Sequence, residues 1–283
     1  MRKIIITADD YGLSPAVNQA IEEGMAAGVI TSTNVMMGMD YCEAAKDLKK
    51  KYPNVSVGLH WTLTEGGRPV SNPTEIPTLV NTDGRFYMLD EFYQRYNKHL
   101  IKDEDIRKEY IAQYSKFERL IGKPDYWNSH QNTHVRFGVF DIALKTACEL
   151  GMTKMRSNQR VYVPSSDTSR RRSLKWRVME PMKSLLMDYW HGKAHKKGIK
   201  TPDGIILCLN PDDEHNLEHI FNNIKWGHHR IAEVVMHPAT HVDTELMGTF
   251  TDIRVEEYKL FCCREAYNII KKANVELVSY DEL

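Results

Sequence analysis

The sequence contains few cysteines, and their spacing is not typical of disulfide pairs or of metal-binding motifs. The five cysteines are odd in number and contain no CxxC pair. A disulfide framework usually shows an even number of cysteines in a short secreted chain, whereas this chain has 283 residues. We therefore expect reduced thiols and a cytoplasmic location.

Long apolar runs and an excess of one charge are also absent. No run approaches the ~20 apolar residues that a membrane-spanning helix needs, and the first residues enter a strand-like run without a cleavable leader. The 38 basic residues balance 38 acidic residues, whereas binding to a phosphate backbone needs clustered positive charge. We predict neither a membrane nor a nucleic-acid partner, and base rates for oligomers favour a homodimer.

What the chain does have is a regular alternation of short apolar runs and longer amphipathic ones, typical of β-α units around a parallel sheet. Strands are predicted at residues 4–8, 32–37, 55–59, 126–129, 204–209, 231–236 and 275–279, with a weak one at 153–156. Helices are predicted at residues 15–27, 42–52, 103–120, 140–150, 214–224 and 254–273. Segment 62–89 is predicted to be a long loop, and segment 162–200 has a poor pattern apart from a helical run at 176–190. With no linker or repeat, the prediction is a single α/β domain over residues 1–283.

Acidic residues and histidines stand directly after four of the strand-like runs. Asp9 and Asp10 follow the first run, His60 the third, His130 the fourth, and His237 the run that ends at residue 236. In an α/β barrel the carboxyl ends of the strands meet at one rim, where carboxylates and imidazoles can build a metal hydrolase site. The shared placement therefore predicts such a site.

Each of these residues also has a plain structural interpretation. Neighbouring side chains on a strand point to opposite sides. Asp9 and Asp10 are therefore predicted to have two different roles, one as a metal ligand and one as a base. The alternative is that they only cap a helix or line a turn. His60 is either a ligand or a hydrogen-bonded histidine at a strand end. His237, fixed by Pro238, is either a general acid or a strand terminator.

Three further features have two interpretations each. His130 and His134 have the H-x3-H spacing, which places both imidazoles on one face if the segment is helical and is weaker evidence otherwise. Tryptophans such as Trp61 can stack on a sugar ring, although most pack in a core or at its rim. The basic stretch 170–177 is either a solvated face or a contact for phosphate or an acidic sugar.

Several motifs taken together resemble those of the YdjC-like carbohydrate deacetylases, a family that includes bacterial chitooligosaccharide deacetylases. In chain order the matching stretches are ITADDYGLS (6–14), GVITST (28–33), VGLHWTLTEG (57–66), SHQNTH (129–134), MHP (236–238) and VELVSY (275–280). They span nearly the whole chain in the right order. The set is specific, although none of its members would be alone.

The resemblance implies a distorted (β/α) TIM-like barrel, one divalent metal ion that is commonly Mg²⁺, and hydrolysis of an N-acetyl group on a small amino-sugar substrate. It implies that Asp10, His60 and His130 are metal ligands. It also implies that Asp9 is the general base and His237 the general acid.

Other positions are candidates for contacts with these ligands or with the substrate, namely His134, Arg156 and Trp61. The chain departs from the family at Asn128, where aspartate is usual, and at Asn132, where histidine is frequent. Both departures change the charge next to the predicted ligands, and so affect metal preference and substrate more than the type of reaction.

From the sequence, the identity of the metal and the class of reaction each have more than one interpretation. Two imidazoles and one carboxylate suit Zn²⁺, Mn²⁺ or Co²⁺ at least as well as Mg²⁺. A phosphoesterase-like barrel hydrolase would need two metals and more carboxylates. A non-catalytic sugar-binding barrel would bind carbohydrate without releasing acetate, and a purely structural metal would normally have four protein ligands.

Overall fold

Parallel strands form the centre of the computed structural model, and their composition explains why they lie there. The first strand, β1 (Arg2–Tyr11), buries Ile4, Ile5 and Ile6 completely, so both of its faces are covered. Such continuous apolar runs are typical of parallel sheets that have packing layers on both sides. The other strands are β2 (Ser32–Val35), β3 (Ser56–Trp61), β4 (Trp127–Ser129), β5 (Gly204–Leu207), β6 (Ile231–Met236) and β7 (Val275–Leu277).

The structure describes residues 1–65, 67–164, 174–207, 217–243 and 251–283, with the side chains of 174–183 and 251 outside the description. The predicted basic stretch 170–177 therefore lies outside the described side chains, as do the ends of the predicted strand 204–209 and helix 214–224 that fall within 208–216. None of the described helices is both long and apolar enough to cross a bilayer.

Helices connect the strands along the chain. They are α1 (Pro15–Ala26), α2 (Leu48–Lys51), α3 (Leu89–Asn97), α4 (Asp103–Ile121), α5 (Val139–Glu149), α6 (Leu174–Lys196), α7 (Leu217–Asn223), α8 (Thr251–Phe261) and α9 (Arg264–Lys272). The start of α1 follows its sequence signals, because Ser14 caps it by accepting a hydrogen bond from the Val17 amide and Pro15 occupies the first turn.

The strands pair in the order β4-β3-β2-β1-β6-β5, all parallel, and β7 pairs with the beginning of β1. Beyond the two ends of this series, isolated parallel bridges join Trp127 to Met155, Lys154 to Lys200, and Arg160 to Ile205. The sheet therefore curls into a half-barrel, and the prediction of an α/β fold with a parallel sheet is confirmed. The predicted strand 153–156 is present only as these bridges.

Two predicted helices differ from the structure, and a third helix was not predicted. The long helix at 254–273 is two helices, α8 and α9, because the backbone of Cys263 is extended (φ −134°, ψ 159°) and starts a new helix. Residues 42–47 form a 3₁₀ helix rather than the first part of an α-helix. The prediction also missed α3, a mostly polar helix that buries only Phe92.

Candidate active site

The strand β1 is irregular at its end, where the two adjacent carboxylates Asp9 and Asp10 lie. The register of β1 against β2 shifts between Ala8 and Tyr11, and Asp10 has a positive φ of 73°. This conformation is uncommon for a residue with a side chain, and it is stabilised here by the Asp10 amide, which donates to Asn34 Oδ1 at 3.2 Å. Asp9 and Asp10 make two separate sets of contacts.

Asp10 lies close to two histidines, His60 of β3 and His130, which directly follows β4. His60 Nε2 is 3.2 Å and His130 Nδ1 is 3.0 Å from Asp10 Oδ1. One potential ligand atom from each of the three residues lies within 4.8 Å of the others, and no other trio of this kind occurs among the described residues. An incomplete set of three protein ligands with nitrogen and oxygen donors fits a catalytic divalent metal better than a closed structural one.

The second oxygen of Asp10 is held by an arginine from α8. Arg254 Nη2 donates to Asp10 Oδ2 at 2.6 Å. Burial would raise the pKa of Asp10, but the charges of His130 and Arg254 and the hydrogen bonds from His130 and His60 outweigh burial and keep this pKa well below its usual value. Asp10 is therefore an ionised carboxylate with Oδ1 directed to the histidines.

Asp9 belongs to a separate buried network. Arg156 donates from Nη1 and Nη2 to the two carboxylate oxygens of Asp9, each at 2.7 Å, and Asn34 Nδ2 donates to Asp9 Oδ1 at 2.5 Å. Burial opposes ionisation, but the charge and hydrogen bonds of Arg156 lower the pKa of Asp9 to about 2. Arg156 also binds Glu233 of β6, at 3.1 Å through Nε and 2.9 Å through Nη2.

His237 directly follows β6 and faces this network. Its Nε2 atom is 3.7 Å from Asp9 Oδ2, and its backbone amide donates to Glu257 Oε2 at 2.5 Å. Burial lowers the pKa of His237 to about 4, although the charges of Asp9 and Asp10 act in the opposite direction. Burial also raises the pKa of Glu257 to about 7. At neutral pH His237 is therefore neutral in the metal-free protein.

The H-x3-H motif does not form one helical face, so the helical interpretation of its spacing is wrong. After β4 the chain makes a single 3₁₀ turn (His130–Asn132), in which Gln131 and Asn132 both have positive φ. The turn sends His130 to Asp10 and His134 into the interior, where His134 Nδ1 lies 2.6 Å from Ser129 Oγ. His134 is fully buried, and burial lowers its pKa to about 3.

Trp61 is placed in the core rather than at the pocket. Its side chain has no exposed surface, its Nε1 donates to the carbonyl of Tyr110 at 3.1 Å, and its ring stacks on Tyr110 with centroids 4.2 Å apart. These contacts are those of a packing residue. Arg156, by contrast, lines the pocket beside Asp9.

A pocket of about 840 Å³ opens above these groups. Asp9, Asp10, His60, His130 and His237 all line it. The volume is at the upper part of the range for small-molecule sites, about 300–1,000 Å³, and suits a ligand larger than a single small metabolite.

Four residues of the site were missed by the sequence reasoning: Asn34, Glu233, Arg254 and Glu257. Glu233 had a signal, because a carboxylate inside the apolar run of β6 must be paired if it is buried. Arg254 and Glu257 are three positions apart on α8, a spacing that puts both on one helix face, but their partners come from distant parts of the chain. Asn34 had no signal of its own.

Comparison with known proteins finds relatives over nearly the whole chain. A family model described as "YdjC-like protein" matches residues 3–272. A carbohydrate deacetylase of Clostridium beijerinckii is 25% identical over 283 residues, which cover 99% of this chain and 100% of that protein. A carbohydrate deacetylase of Brevibacillus brevis is 28% identical over 284 residues, 99% of each chain.

Two further matches differ from these relatives, because one covers only part of this chain and the other is a solved structure. A chitooligosaccharide deacetylase of Escherichia fergusonii is 33% identical over 163 residues, which cover 57% of this chain and 62% of that protein. A crystal structure of a protein from Enterococcus faecalis superposes with a TM-score of 0.77 at 24% identity, covering 99% of this chain and 98% of that one. This second match supports the fold alone.

Proposed function

Since the chain belongs to the YdjC-like family, we propose that it is a metal-dependent carbohydrate deacetylase that removes N-acetyl groups from amino-sugar oligosaccharides. The observation that carries the proposal is the convergence of Asp10, His60 and His130 at the base of a pocket, with Asp9 and His237 beside them. The names of the relatives, carbohydrate deacetylase and chitooligosaccharide deacetylase, support a chitobiose-like substrate, with or without a phosphate group.

Asp10, His60 and His130 would hold one divalent metal ion. When bound, such an ion polarises an amide carbonyl and acidifies a water molecule, which is the chemistry that amide hydrolysis needs. The family resemblance favours Mg²⁺, whereas two imidazole donors favour Zn²⁺, Mn²⁺ or Co²⁺. We propose a single ion, and adding back each metal to stripped protein identifies it.

Asp9 is proposed as the general base. Its carboxylate is ionised and is fixed by Arg156 and Asn34, so it can accept a proton from the attacking water without moving. A carboxylate whose pKa is about 2 holds a proton only briefly, so that proton must move on to another group.

His237 is proposed as the general acid that delivers this proton. In the metal-free protein it is neutral at neutral pH, and its Nε2 is 3.7 Å from Asp9 Oδ2. A proton can pass from Asp9 to His237 through one intervening water or after a small approach of the two side chains, and His237 can then deliver it to the sugar nitrogen. One water is consumed, the C–N bond breaks, and acetate and a free amine are formed. The same proton thus leaves the water and protonates the leaving group.

Arg254 and Glu257 are proposed as substrate contacts. Within the described structure, Arg254 Nε, Arg254 Nη1 and Glu257 Oε1 are buried and have no hydrogen-bond partner, and both residues line the pocket. Buried polar atoms without partners are costly unless a ligand satisfies them. Two donors and one carboxyl oxygen match the hydroxyl and amide groups of a sugar.

The site favours this function over the two rival classes. A phosphoesterase with two metals needs more carboxylates than the single cluster found among the described residues. A sugar-binding barrel has no use for a carboxylate and a neutral imidazole 3.7 Å apart next to a metal site.

We also propose one domain over residues 1–283, a cytoplasmic location and a homodimer.

Acetate release from di-N-acetylchitobiose tests the proposal. Protein stripped with a chelator should release acetate only after Mg²⁺, Zn²⁺, Mn²⁺ or Co²⁺ is added back. Asp9→Asn should lower kcat at least about 100-fold, since a general base contributes roughly that much, while metal binding persists. The control Asp83→Asn, in an exposed loop, should leave the rate unchanged. Full activity of Asp9→Asn would remove the base from the proposal.

A further inference from the structure

Asn128, the middle residue of β4, lies between the metal-site histidine His60 and the Asp9 network. In one orientation of its amide, Asn128 Oδ1 is 2.6 Å from His60 Nδ1. With the amide turned over, its nitrogen donates to His60 Nδ1 at 2.6 Å instead. The turned oxygen then accepts from Arg156 Nη1 at 2.9 Å and Asn34 Nδ2 at 2.9 Å, and it lies 3.1 Å from Arg156 Nη2.

The turned orientation satisfies donors that otherwise lack a partner. A guanidinium has five N–H groups, and those of Arg156 make four hydrogen bonds to Asp9 and Glu233, which leaves one on Nη1. Asn34 Nδ2 has two hydrogens and gives one to Asp9. The turned oxygen of Asn128 receives the remaining hydrogen from each, whereas in the first orientation an NH₂ group faces these donors.

The orientation of Asn128 also sets the position of the proton on His60. A neutral imidazole carries one proton, on Nδ1 or on Nε2. If the turned amide donates to Nδ1, the proton is on Nε2, where it faces Asp10 Oδ1 at 3.2 Å and blocks ligation. If Nε2 is to bind a metal, Nδ1 must carry the proton and needs an acceptor, which is Asn128 Oδ1 in the first orientation.

We propose that Asn128 is a positioning residue whose amide must turn over when a metal binds. In the metal-free protein its oxygen faces Arg156 and Asn34, and metal binding breaks those contacts and moves the proton of His60 from Nε2 to Nδ1. Metal affinity is therefore lower than it would be with a carboxylate at this position, which can accept hydrogen bonds on both sides. The inference rests on the metal site of the proposed function, but it concerns binding and not turnover.

The tautomer of His60 tests the first half of the inference. Imidazole nitrogen NMR of chelator-stripped protein distinguishes protonated from unprotonated ring nitrogens, and the His60 signals are those lost in His60→Gln. We expect Nδ1 of His60 to be unprotonated in the metal-free wild type and protonated in Asn128→Asp. A wild-type His60 that is protonated on Nδ1 before metal is added would overturn the inference.

Metal affinity tests the second half. Calorimetric titration with Zn²⁺ should give a Kd for Asn128→Asp at least about tenfold lower than for the wild type, the usual size of an effect from a group that supports a metal ligand. Asn132→Asp adds the same charge at an exposed position lining the same pocket and should change the Kd by less than about threefold, because solvent and salt screen it.

The outcomes separate this inference from the deacetylase proposal. Equal Kd values for the wild type and Asn128→Asp, or equal gains for Asn128→Asp and Asn132→Asp, contradict the turning amide. Tighter binding with the expected tautomers but no acetate release keeps the inference and removes the proposed substrate. Failure of both proteins to bind any metal removes the metal site and this inference together.

Discussion

Replacing Arg156 by methionine removes the cation that bridges two buried carboxylates, Asp9 and Glu233. Arg156, Asp9 and Glu233 have side chains that are 3%, 4% and 0% exposed, so solvent cannot compensate for the loss. Lowering the pKa of Asp9 from 3.8 to about 2 corresponds to roughly 2 kcal/mol of stability at neutral pH. Among the described residues, Glu233 would still accept a hydrogen bond from the hydroxyl of Tyr280 at 2.8 Å. We expect Arg156→Met to lower the free energy of unfolding by about 3–5 kcal/mol, as when one partner of a buried ion pair is removed.

Urea unfolding of metal-free protein at pH 7 measures this change. The matched control is Arg107→Met, which removes an arginine paired with Glu149 at 2.8 Å on the surface, where both side chains are more than a third exposed. That pair is screened by water, and its loss should cost less than about 1 kcal/mol. Equal and small losses in the two variants would refute the claim that Arg156 is the cation on which the buried carboxylates depend.

The same reasoning predicts how the stability difference between the wild type and Arg156→Met changes with pH. The pKa of Asp9 is lower in the folded protein, so its stabilising contribution is present above pH 3.8 and is lost as the pH falls through about 2. In Arg156→Met, burial without the guanidinium raises the pKa of Asp9, so Asp9 protonates at higher pH. The stability difference between wild type and variant should therefore shrink as the pH falls from 7 to 4, and a constant difference would contradict this account.

Three further changes have definite expected outcomes. The pKa of buried His134 is about 3 rather than 6.5, so the wild type should lose about 2 kcal/mol of stability between pH 7 and pH 5. His134→Gln should not show this loss, and an equal change in stability for the two proteins between pH 7 and pH 5 would contradict the prediction. Gly12 has a φ of +100°, and a Cβ there would lie 3.0 Å from the Cα of Cys42, so Gly12→Ala should lower stability by about 1–3 kcal/mol, which a thermal melt with no shift would contradict. Glu257→Gln should lower kcat/KM about tenfold with metal affinity unchanged, because the unpartnered oxygen is a proposed substrate contact; an unchanged kcat/KM would remove that role.

Much of the fold could be predicted because local patterns agree with the final structure. The strand at Ile231–Met236 has the predicted bounds, and α1 ends within one residue of the predicted end, before a glycine with positive φ. Where the prediction failed, the cause was tertiary. The break between α8 and α9 occurs at two cysteines that carry no turn signal, and α3 is too polar to show a helical apolar face.

The candidate site could be predicted only in part, and for a physical reason. Residues that follow strands meet at one rim of a parallel sheet, so the sequence order of the strands was enough to bring Asp10, His60 and His130 together. The charges that balance Asp9 and Asp10 come from arginines 147 and 244 positions away along the chain, in the pairs Arg156–Asp9 and Arg254–Asp10. No local pattern reports such a pairing.

Acetate release as a function of metal added per chain tests the central claim most directly. Chelator-stripped protein at a known concentration would be titrated with Zn²⁺ or Mn²⁺ in the presence of di-N-acetylchitobiose, and bound metal would be measured in the same samples. Activity should rise in proportion to bound metal and stop rising at one ion per chain, and His60→Ala should show neither. Acetate release that survives full removal of metal, or that needs two ions per chain, would contradict a one-metal site at Asp10, His60 and His130.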